Sequence, residues 1–273
     1  MKYIILIGLL AITACSAKMM KTNNPTDIKK ALIKGEDIII EGITFEDELD
    51  LTEILPMSKS SVKTSFGQVR GNIYFQECIF KKPFTAFKNS AEGEVKAVQF
   101  QGNVGFVNCK FEDEFTIRYC SVEGNLDFSG TTFRKKANFQ DVIFMQRVNF
   151  KEAFWADEAL FQNTRFYHRT NFMDIKVDGH LMFQSANFRD ETNFSLSECL
   201  KYVDFSLVRF DGPALFNYIK WKDRAVFNNA LWNMDSHFVE PEFGDVSFKN
   251  STTRGKFMMQ GEKISGKHIT AEI

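Results

Sequence analysis

The chain has almost no net charge. Its 273 residues carry 34 basic and 35 acidic side chains. A nucleic-acid partner usually requires a basic patch or stripe, so this balance argues against one. The weak negative charge also argues against a protein that mimics the DNA polyanion. The length allows one large domain or two small ones.

Motifs of catalysis and cofactor binding are missing too. The four histidines form no His-x-His or His-Glu-x-x-His pair, and no Cys-x-x-Cys occurs. Because metal sites usually show such spacings, we expect no metal. The sequence also lacks Gly-x-Gly-x-x-Gly, a phosphate-binding loop and a nucleophile elbow. We therefore expect no cofactor and no enzymatic activity.

Long apolar runs are absent except at the N-terminus. Lys2 precedes an apolar run from Tyr3 to Ile12, which is too short to span a bilayer. The following Ile-Thr-Ala-Cys, which ends at Cys15, resembles the lipobox of bacterial lipoproteins. It implies a signal peptide over 1–14 and lipid attachment at Cys15; a plain signal peptide is the alternative. Ser16 after the cysteine implies sorting to the outer membrane in a two-membrane bacterium. We expect a cell-envelope protein anchored to the membrane by its lipid.

Phenylalanine is the abundant residue, with 30 copies against three Trp and six Tyr. It recurs at every eleventh position, and a second, mostly aromatic series follows five positions after the first. The first series is Phe128, Phe139, Phe150, Phe161, Phe172, Phe183, Phe194, Phe205, Phe216, Phe227 and Phe238. On an α-helix, steps of five and six residues would scatter the rings over opposite sides, so the repeat is not helical.

In extended chain, residues two apart share a face. A small residue stands two positions before most ring positions, and Asn or Asp often stands between them. The small residue and the ring would then point inward and the polar residue outward. Two repeats make a coil of about 22 residues with four short sides, and residues 95–243 make about seven coils. The predicted class is therefore an all-β solenoid.

The small–Asn/Asp–Phe–x–x unit resembles the pentapeptide-repeat family over residues 71–249. The resemblance implies a right-handed quadrilateral β-helix. The chain departs from the family pattern by one extra residue in every second unit, which affects the turns at two of the four corners.

The ends of the chain differ from the body. We predict a tether and N-terminal cap over 15–52, with a helix capped by Thr26-Asp27 and ended by Gly35, then a strand over 37–45. The solenoid is predicted over 53–249, with a loop over 53–70 and a loop-out near 81–94. The spacing of the repeat breaks after Phe243, which predicts loss of the register there. Residues 250–273 are therefore predicted as a cap, a tail or a homodimer contact at a solenoid end.

Four cysteines follow Cys15: Cys78, Cys109, Cys120 and Cys199. Cys109 and Cys120 are half a coil apart and should lie on opposite walls, too far for a disulfide. We interpret all four as buried, inert thiols. Bridges in an oxidising compartment are the alternative.

Outward apolar residues are the only candidate sites. Leu160, Met182 and Phe154 are predicted as a possible partner surface, with packing under a loop or the tail as the alternative. We expect a non-enzymatic, lipid-anchored scaffold that binds an unidentified protein. A glycan- or surface-binding module is the second hypothesis, although the tryptophans fall at inward positions. A polysaccharide-active enzyme is less favoured, because residues 95–243 have no insertion to wall a cleft.

Overall fold

A computed structural model describes residues 24–266 and 268–269. The predicted signal peptide and Cys15 lie outside this range. The described chain is an all-β solenoid of about 22 residues per coil with two short helices, as predicted. Within the described residues, no helix is long and apolar enough to cross a membrane.

Each coil has four sides, here called walls 1 to 4 in chain order, and every wall is a ladder of parallel strands. Wall 1 consists of Ile38–Glu41, Ile73–Gln76, Val104–Val107, Leu126–Asp127, Val148–Asn149, Thr170–Asn171, Thr192–Asn193, Ala214–Leu215, Ser236–Val239 and Phe257–Gln260. Wall 2 consists of Thr44–Phe45, Ile79–Phe80, Lys110–Phe111, Thr132–Phe133, Phe154–Trp155, Lys176–Val177, Glu198–Cys199, the first halves of Lys220–Val226 and Glu242–Ser247, and Lys263–Ile264.

Wall 3 consists of Leu49–Asp50, Phe84–Thr85, Phe115–Thr116, Ala137–Asn138, Ala159–Leu160, Leu181–Met182, Val203–Asp204, the second halves of Lys220–Val226 and Glu242–Ser247, and His268–Ile269. Wall 4 consists of Thr64–Val69, Val95–Phe100, Ser121–Val122, Ile143–Phe144, Arg165–Phe166, Asn187–Phe188, Arg209–Phe210, Leu231–Trp232 and Thr252–Thr253. Two strands, Ser58–Lys59 and Phe87–Asn89, join wall 4 in antiparallel pairing.

The core is made of stacked rings. Rings one coil apart lie parallel, as for Phe150 and Phe172, whose centroids are 5.1 Å apart at an interplanar angle of 5°. Rings on the opposite walls 1 and 3 meet edge to face, as for Phe139 and Phe150 at 85°. Both geometries are favourable for aromatic pairs. Wall 1 carries a phenylalanine ladder from Phe75 to Phe238 and wall 3 one from Phe139 to Phe248, whereas wall 2 mixes Phe, Trp, Val and Cys at the ring position.

The extra residue of every second unit lies at two wide corners, between walls 2 and 3 and between walls 4 and 1. The other two corners are tight and place one residue per coil in the left-handed region, as at Gly130 (φ 65°) and Asp141 (φ 59°). Glycine and, to a lesser degree, Asn and Asp adopt this conformation with little strain. The alternation of five and six residues is thus an alternation of tight and wide corners.

The N-terminal region belongs to the solenoid more than we predicted. The helix Pro25–Lys34 is capped by Asn24, not by Thr26-Asp27, and ends at Gly35 as expected. The predicted strand over 37–45 is two strands, which form the first level of walls 1 and 2. The helix buries Ile28 and Leu32 against this level. The coil therefore begins near residue 38 and not at 53.

Two predicted loops are partly strands. The stretch 53–70 contains Thr64–Val69, which pairs with Val95–Phe100 on wall 4. In the predicted loop-out 81–94, Phe84–Thr85 keeps its place on wall 3. Only the following residues leave the coil, as a hairpin in which Phe87–Asn89 runs antiparallel to wall 4. The 22-residue repeat did not predict these strands, because the first two steps from one strand of wall 1 to the next span 35 and 31 positions.

The register after Phe243 is shortened by one residue and not lost. Trp221 pairs with Phe243, but Arg224 already pairs with Asp245. The shorter step then persists, so that Lys263 lies 21 positions after its partner Glu242. With this shift, Phe248 stacks on Phe227 at 4.8 Å. The coil continues through Thr252–Thr253, Phe257–Gln260 and Lys263–Ile264, so the described residues after 249 are further coil.

Candidate interaction surface

The predicted partner surface is divided between two walls. Leu160 and Met182 are register partners on wall 3, whereas Phe154 lies on wall 2. All three point outward, as the phase predicted, but their side chains are only half exposed. They therefore form a short apolar pair and a separate ring, not one continuous patch.

More exposed apolar side chains occupy the tight corner between walls 1 and 2. Leu196 and Tyr218 lie at this corner on consecutive levels and are 41% and 49% exposed. Leu200, at the other edge of wall 2, is 50% exposed. We call Leu196, Leu200 and Tyr218 the apolar ridge. Sequence reasoning missed it because these residues lie outside the small–polar–Phe units.

The backbone of the ridge is unusual for its side chains. Leu196 and Tyr218 have φ of 63° and 57°, in the left-handed region that bulky L-residues rarely adopt. Other levels of the same corner carry glycine, acidic residues or asparagine, for example Gly130 and Asp174. A bulky apolar side chain here is exposed and adds backbone strain, so folding gives no reason for it.

A second surface is rich in arginine. Seven of the ten arginines lie on wall 4 or on its corner with wall 1 and are exposed. Five of the seven lie on consecutive levels of the regular body, and we call these the arginine strip: Arg147, Arg165, Arg169, Arg189 and Arg209. Arg209 binds Asp211, with Nε 2.6 Å from Oδ1. Among the described residues, the other four make no ion pair within 4.0 Å, although Asp190 and Glu191 lie on the same corner.

One arginine of the strip is held by an aromatic ring. The Arg189 guanidinium lies 4.1 Å from the centroid of the Tyr167 ring. Such a cation–π contact orients the guanidinium and leaves its N–H groups free to bind an anion. The strip therefore combines uncompensated positive charge with at least one preoriented donor.

A polar cluster on wall 3 surrounds an outward carboxylate that is buried. Asp204 is 6% exposed and accepts hydrogen bonds from the Tyr202 hydroxyl at 2.8 Å and from Gln184 Nε2 at 2.7 Å. Burial, the hydrogen bond to Asp204 and the charge of Asp204 together raise the pKa of Tyr202. Asp204 also accepts from the backbone N–H of Ser206 at 2.7 Å, so its role in the corner is structural.

The four cysteines are all buried, and two of them are alone. Burial raises the pKa of Cys120 to about 12 and also raises the pKa of Cys199. Cys78 and Cys109, however, occupy the same inward position on consecutive levels of wall 2. The sequence did not predict this pair, because a regular step of 22 residues back from Cys109 leads to residue 87 and not to Cys78.

The described residues hold no group of three or more His, Cys, Asp and Glu side chains able to bind a metal ion. Two depressions lie towards the solenoid ends, one beside Phe45 and Leu49 and the other beside Trp221 and Phe243. Both are shallow and open. The long walls and their corners are thus the surfaces available to a large partner.

Comparison with known proteins identifies the repeat. A family model described as pentapeptide repeats (9 copies) matches residues 106–153. No curated protein and no solved structure matches the chain. The matched region covers two coils of the regular body, and the same strand ladders continue from it in both directions. Residues 106–153 thus carry pentapeptide repeats, the family that the small–Asn/Asp–Phe–x–x unit resembles.

Proposed function

We propose that this protein is a non-enzymatic scaffold, lipid-anchored in the bacterial cell envelope, that binds a protein partner through the apolar ridge. The observation that carries the proposal is the ridge itself. Leu196 and Tyr218 are exposed on consecutive levels and hold a strained backbone that glycine or asparagine would adopt more easily. A side chain that folding does not favour is expected where an external partner uses it.

The anchor follows from the sequence. A lipid on Cys15 would tether the rod and leave its long walls accessible from the side. Side-on access suits a partner that contacts several levels at once. Among apolar side chains, Tyr and Leu also differ in what they offer: the tyrosine adds a hydroxyl that can hydrogen-bond across an interface.

The test is site-specific photocrosslinking in intact cells. A photoreactive phenylalanine replaces Tyr218 or, as the matched control, Asn229, which is exposed at the other tight corner with φ 56°. We expect one stoichiometric envelope protein to be captured at position 218 only. Capture should disappear with Leu196→Ser and with Cys15→Ala, the unanchored form. Equal capture at both positions, or none at either, would overturn the proposal.

The arginine strip supports a second function, the binding of an anionic glycan. Four of the five guanidiniums of the strip are exposed without an ion pair within 4.0 Å to a described carboxylate. Guanidinium forks suit carboxylate, sulfate and phosphate groups. The tryptophans contribute nothing to such a surface, because Trp155, Trp221 and Trp232 are buried in the core.

This second function has its own test. Binding of the purified protein to polygalacturonate is measured by calorimetry, with neutral dextran as the control polymer. We expect salt-sensitive binding to the acidic polymer alone, weakened at least tenfold by Arg165→Ala combined with Arg169→Ala. Lys176→Ala on wall 2, also exposed, should leave it unchanged. Binding that ignores salt and the arginine changes would exclude the strip.

A further inference from the structure

The pairing of Cys78 with Cys109 follows from the strand register. Each cysteine directly precedes a strand of wall 2, and these strands pair in parallel with Lys110 opposite Ile79. The N–H of Lys110 donates to the carbonyl of Cys78 at 2.8 Å. Both thiols therefore point into the core, one above the other, at 0% and 1% exposure.

The two side chains are neighbours in the ladder. Each thiol donates a hydrogen bond to a wall 1 carbonyl: Cys78 Sγ to Ile40 at 3.5 Å and Cys109 Sγ to Phe75 at 3.4 Å. Strands stacked in one ladder are about 4.8 Å apart. This spacing lies within the Cα separation of about 4.4–6.8 Å that a disulfide tolerates.

We propose that Cys78 and Cys109 are a disulfide site, whose bond closes the coil that carries the hairpin insertion. The two residues are 31 positions apart, whereas the coils of the regular body take 22. The hairpin strand Phe87–Asn89 lies between them. The bond would thus join the two ends of the coil that carries the hairpin. The bond itself would lie inside the core, among the stacked rings.

In the closed coil, the neighbouring Cys109 thiol lowers the pKa of Cys78 to about 7, whereas Cys78 and burial raise the pKa of Cys109. The thiolate is the nucleophile in thiol–disulfide exchange. One of the two cysteines therefore attacks the oxidant as its thiolate, and the other resolves the mixed disulfide.

The oxidant is a protein or small-molecule disulfide, the class that an oxidising compartment supplies. The thiolate of one cysteine attacks one sulfur of that disulfide, and the other sulfur leaves as a thiolate. The thiolate of the second cysteine then attacks the first cysteine's Sγ in the mixed disulfide and releases the second thiolate. The protein loses two protons and two electrons, and the oxidant is reduced to its two thiols. Because both thiols are buried in the closed coil, exchange takes place before that coil has closed.

The experiment compares full-length protein refolded with oxidised glutathione and with dithiothreitol. After oxidation we expect a mass lower by about 2 Da, a cross-linked Cys78–Cys109 peptide, and a melting temperature higher by roughly 5–10 °C, since the bond restricts the unfolded chain. Cys120→Ser and Cys199→Ser, at isolated buried positions, should keep both the cross-link and the shift between oxidised and reduced forms.

The wild-type chain alone decides the outcome, so a variant that fails to fold does not obscure it. Free thiols at all four cysteines after Cys15 in correctly refolded, oxidised protein would overturn the proposal. A cross-link between any other two cysteines, or a lower melting temperature in the cross-linked form, would also overturn it.

Discussion

The regular body and the first two coils hold together by different means. From Val104 to Ser236 every coil takes 22 positions, and the rings of wall 1 each stack on the equivalent ring one coil away. The first two coils are longer, have strands of up to six residues, and carry a helix, a hairpin and ion pairs such as Lys88 with Asp50. In the regular body, ring stacking alone can set the register between strands of consecutive coils. In the irregular coils, specific polar contacts are needed to set that register.

A polar ladder provides that alignment in the first coils. At the corner before wall 1, Asn72 binds Asp37, Asn103 binds Asn72, and Asn125 binds Asn103. Each step uses both a backbone N–H and the side-chain amide, for example Asn125 N at 2.8 Å and Nδ2 at 3.1 Å from Asn103 Oδ1. The ladder joins levels that are 35, 31 and 22 positions apart in sequence, so it fixes their register independently of coil length.

The most severe way to break the body is to place a charge in its core. Phe183→Asp buries an unpaired carboxylate in the wall 3 ring ladder, which should cost about 5 kcal/mol or more and abolish cooperative unfolding. Asn193→Asp, at an outward position on wall 1, should cost at most about 0.5 kcal/mol. Circular dichroism melts check both. A Phe183→Asp protein that melts near wild type would reverse the inward and outward faces.

Removing one ring compares the body with the first level. Phe172 stacks on rings both above and below, at 5.1 and 4.8 Å, whereas Phe45 stacks only on Phe80. Phe172→Ala should therefore cost about 3–5 kcal/mol, and Phe45→Ala about 1–2 kcal/mol less than that. Urea unfolding measures the difference. Equal losses would mean that the first level is as tightly packed as the body.

For the polar ladders, we expect a substitution in the first coils to cost more folding stability than one in the regular body. Asn103→Ala removes three side-chain hydrogen bonds in the first coils and should cost about 2 kcal/mol. Asn171→Ala in the body removes two, to Asn149 and from Met173, and should cost about 1 kcal/mol. If Asn171→Ala is the more damaging change by chemical denaturation, polar alignment is not special to the irregular coils.

The smallest expected effect is a gain in stability. Leu207 is 60% exposed at the second tight corner with φ 59°, so Leu207→Gly should relieve strain and stabilise the protein by about 0.5–1 kcal/mol. Leu215→Gly, in an extended strand of wall 1, should instead destabilise it by a similar amount. Thermal melts of the two variants should shift in opposite directions; a loss at both positions would refute strain at Leu207.

The body was predictable because one structural rule repeats in it. The alternating five- and six-residue spacing of the rings predicted the all-β class, the 22-residue coil and the inward direction of the rings. The first coils escaped prediction because their extra length is absorbed in different ways, by the helix Leu51–Ile54 with the strand pair after it, and by the hairpin at Phe87–Asn89. Without those lengths, the ladder position of Cys78 below Cys109 could not be assigned.

The candidate surfaces were predictable only in part. The outward direction of Leu160 and Met182 followed from phase, and the structure places them side by side. The apolar ridge did not follow, because the repeat pattern assigns no role to the corner residues. The sequence does carry a signal for it: Leu196 and Tyr218 stand at a corner position that on other levels holds residues such as Gly130, Glu152 or Asp174.

The unchanging 22-residue step has a consequence for recognition. A rod with identical rungs gives a ligand many equivalent places to settle, so contacts to the repeating features alone cannot define a position along it. A ligand can recognise one position along the solenoid through departures from the repeat. Such departures include Leu196 and Tyr218 at a tight corner, the arginine strip, and the coil step shortened by one residue after Trp221. In this molecule the regular coils set the spacing between surface features, and the irregular residues define where along the solenoid a partner can bind.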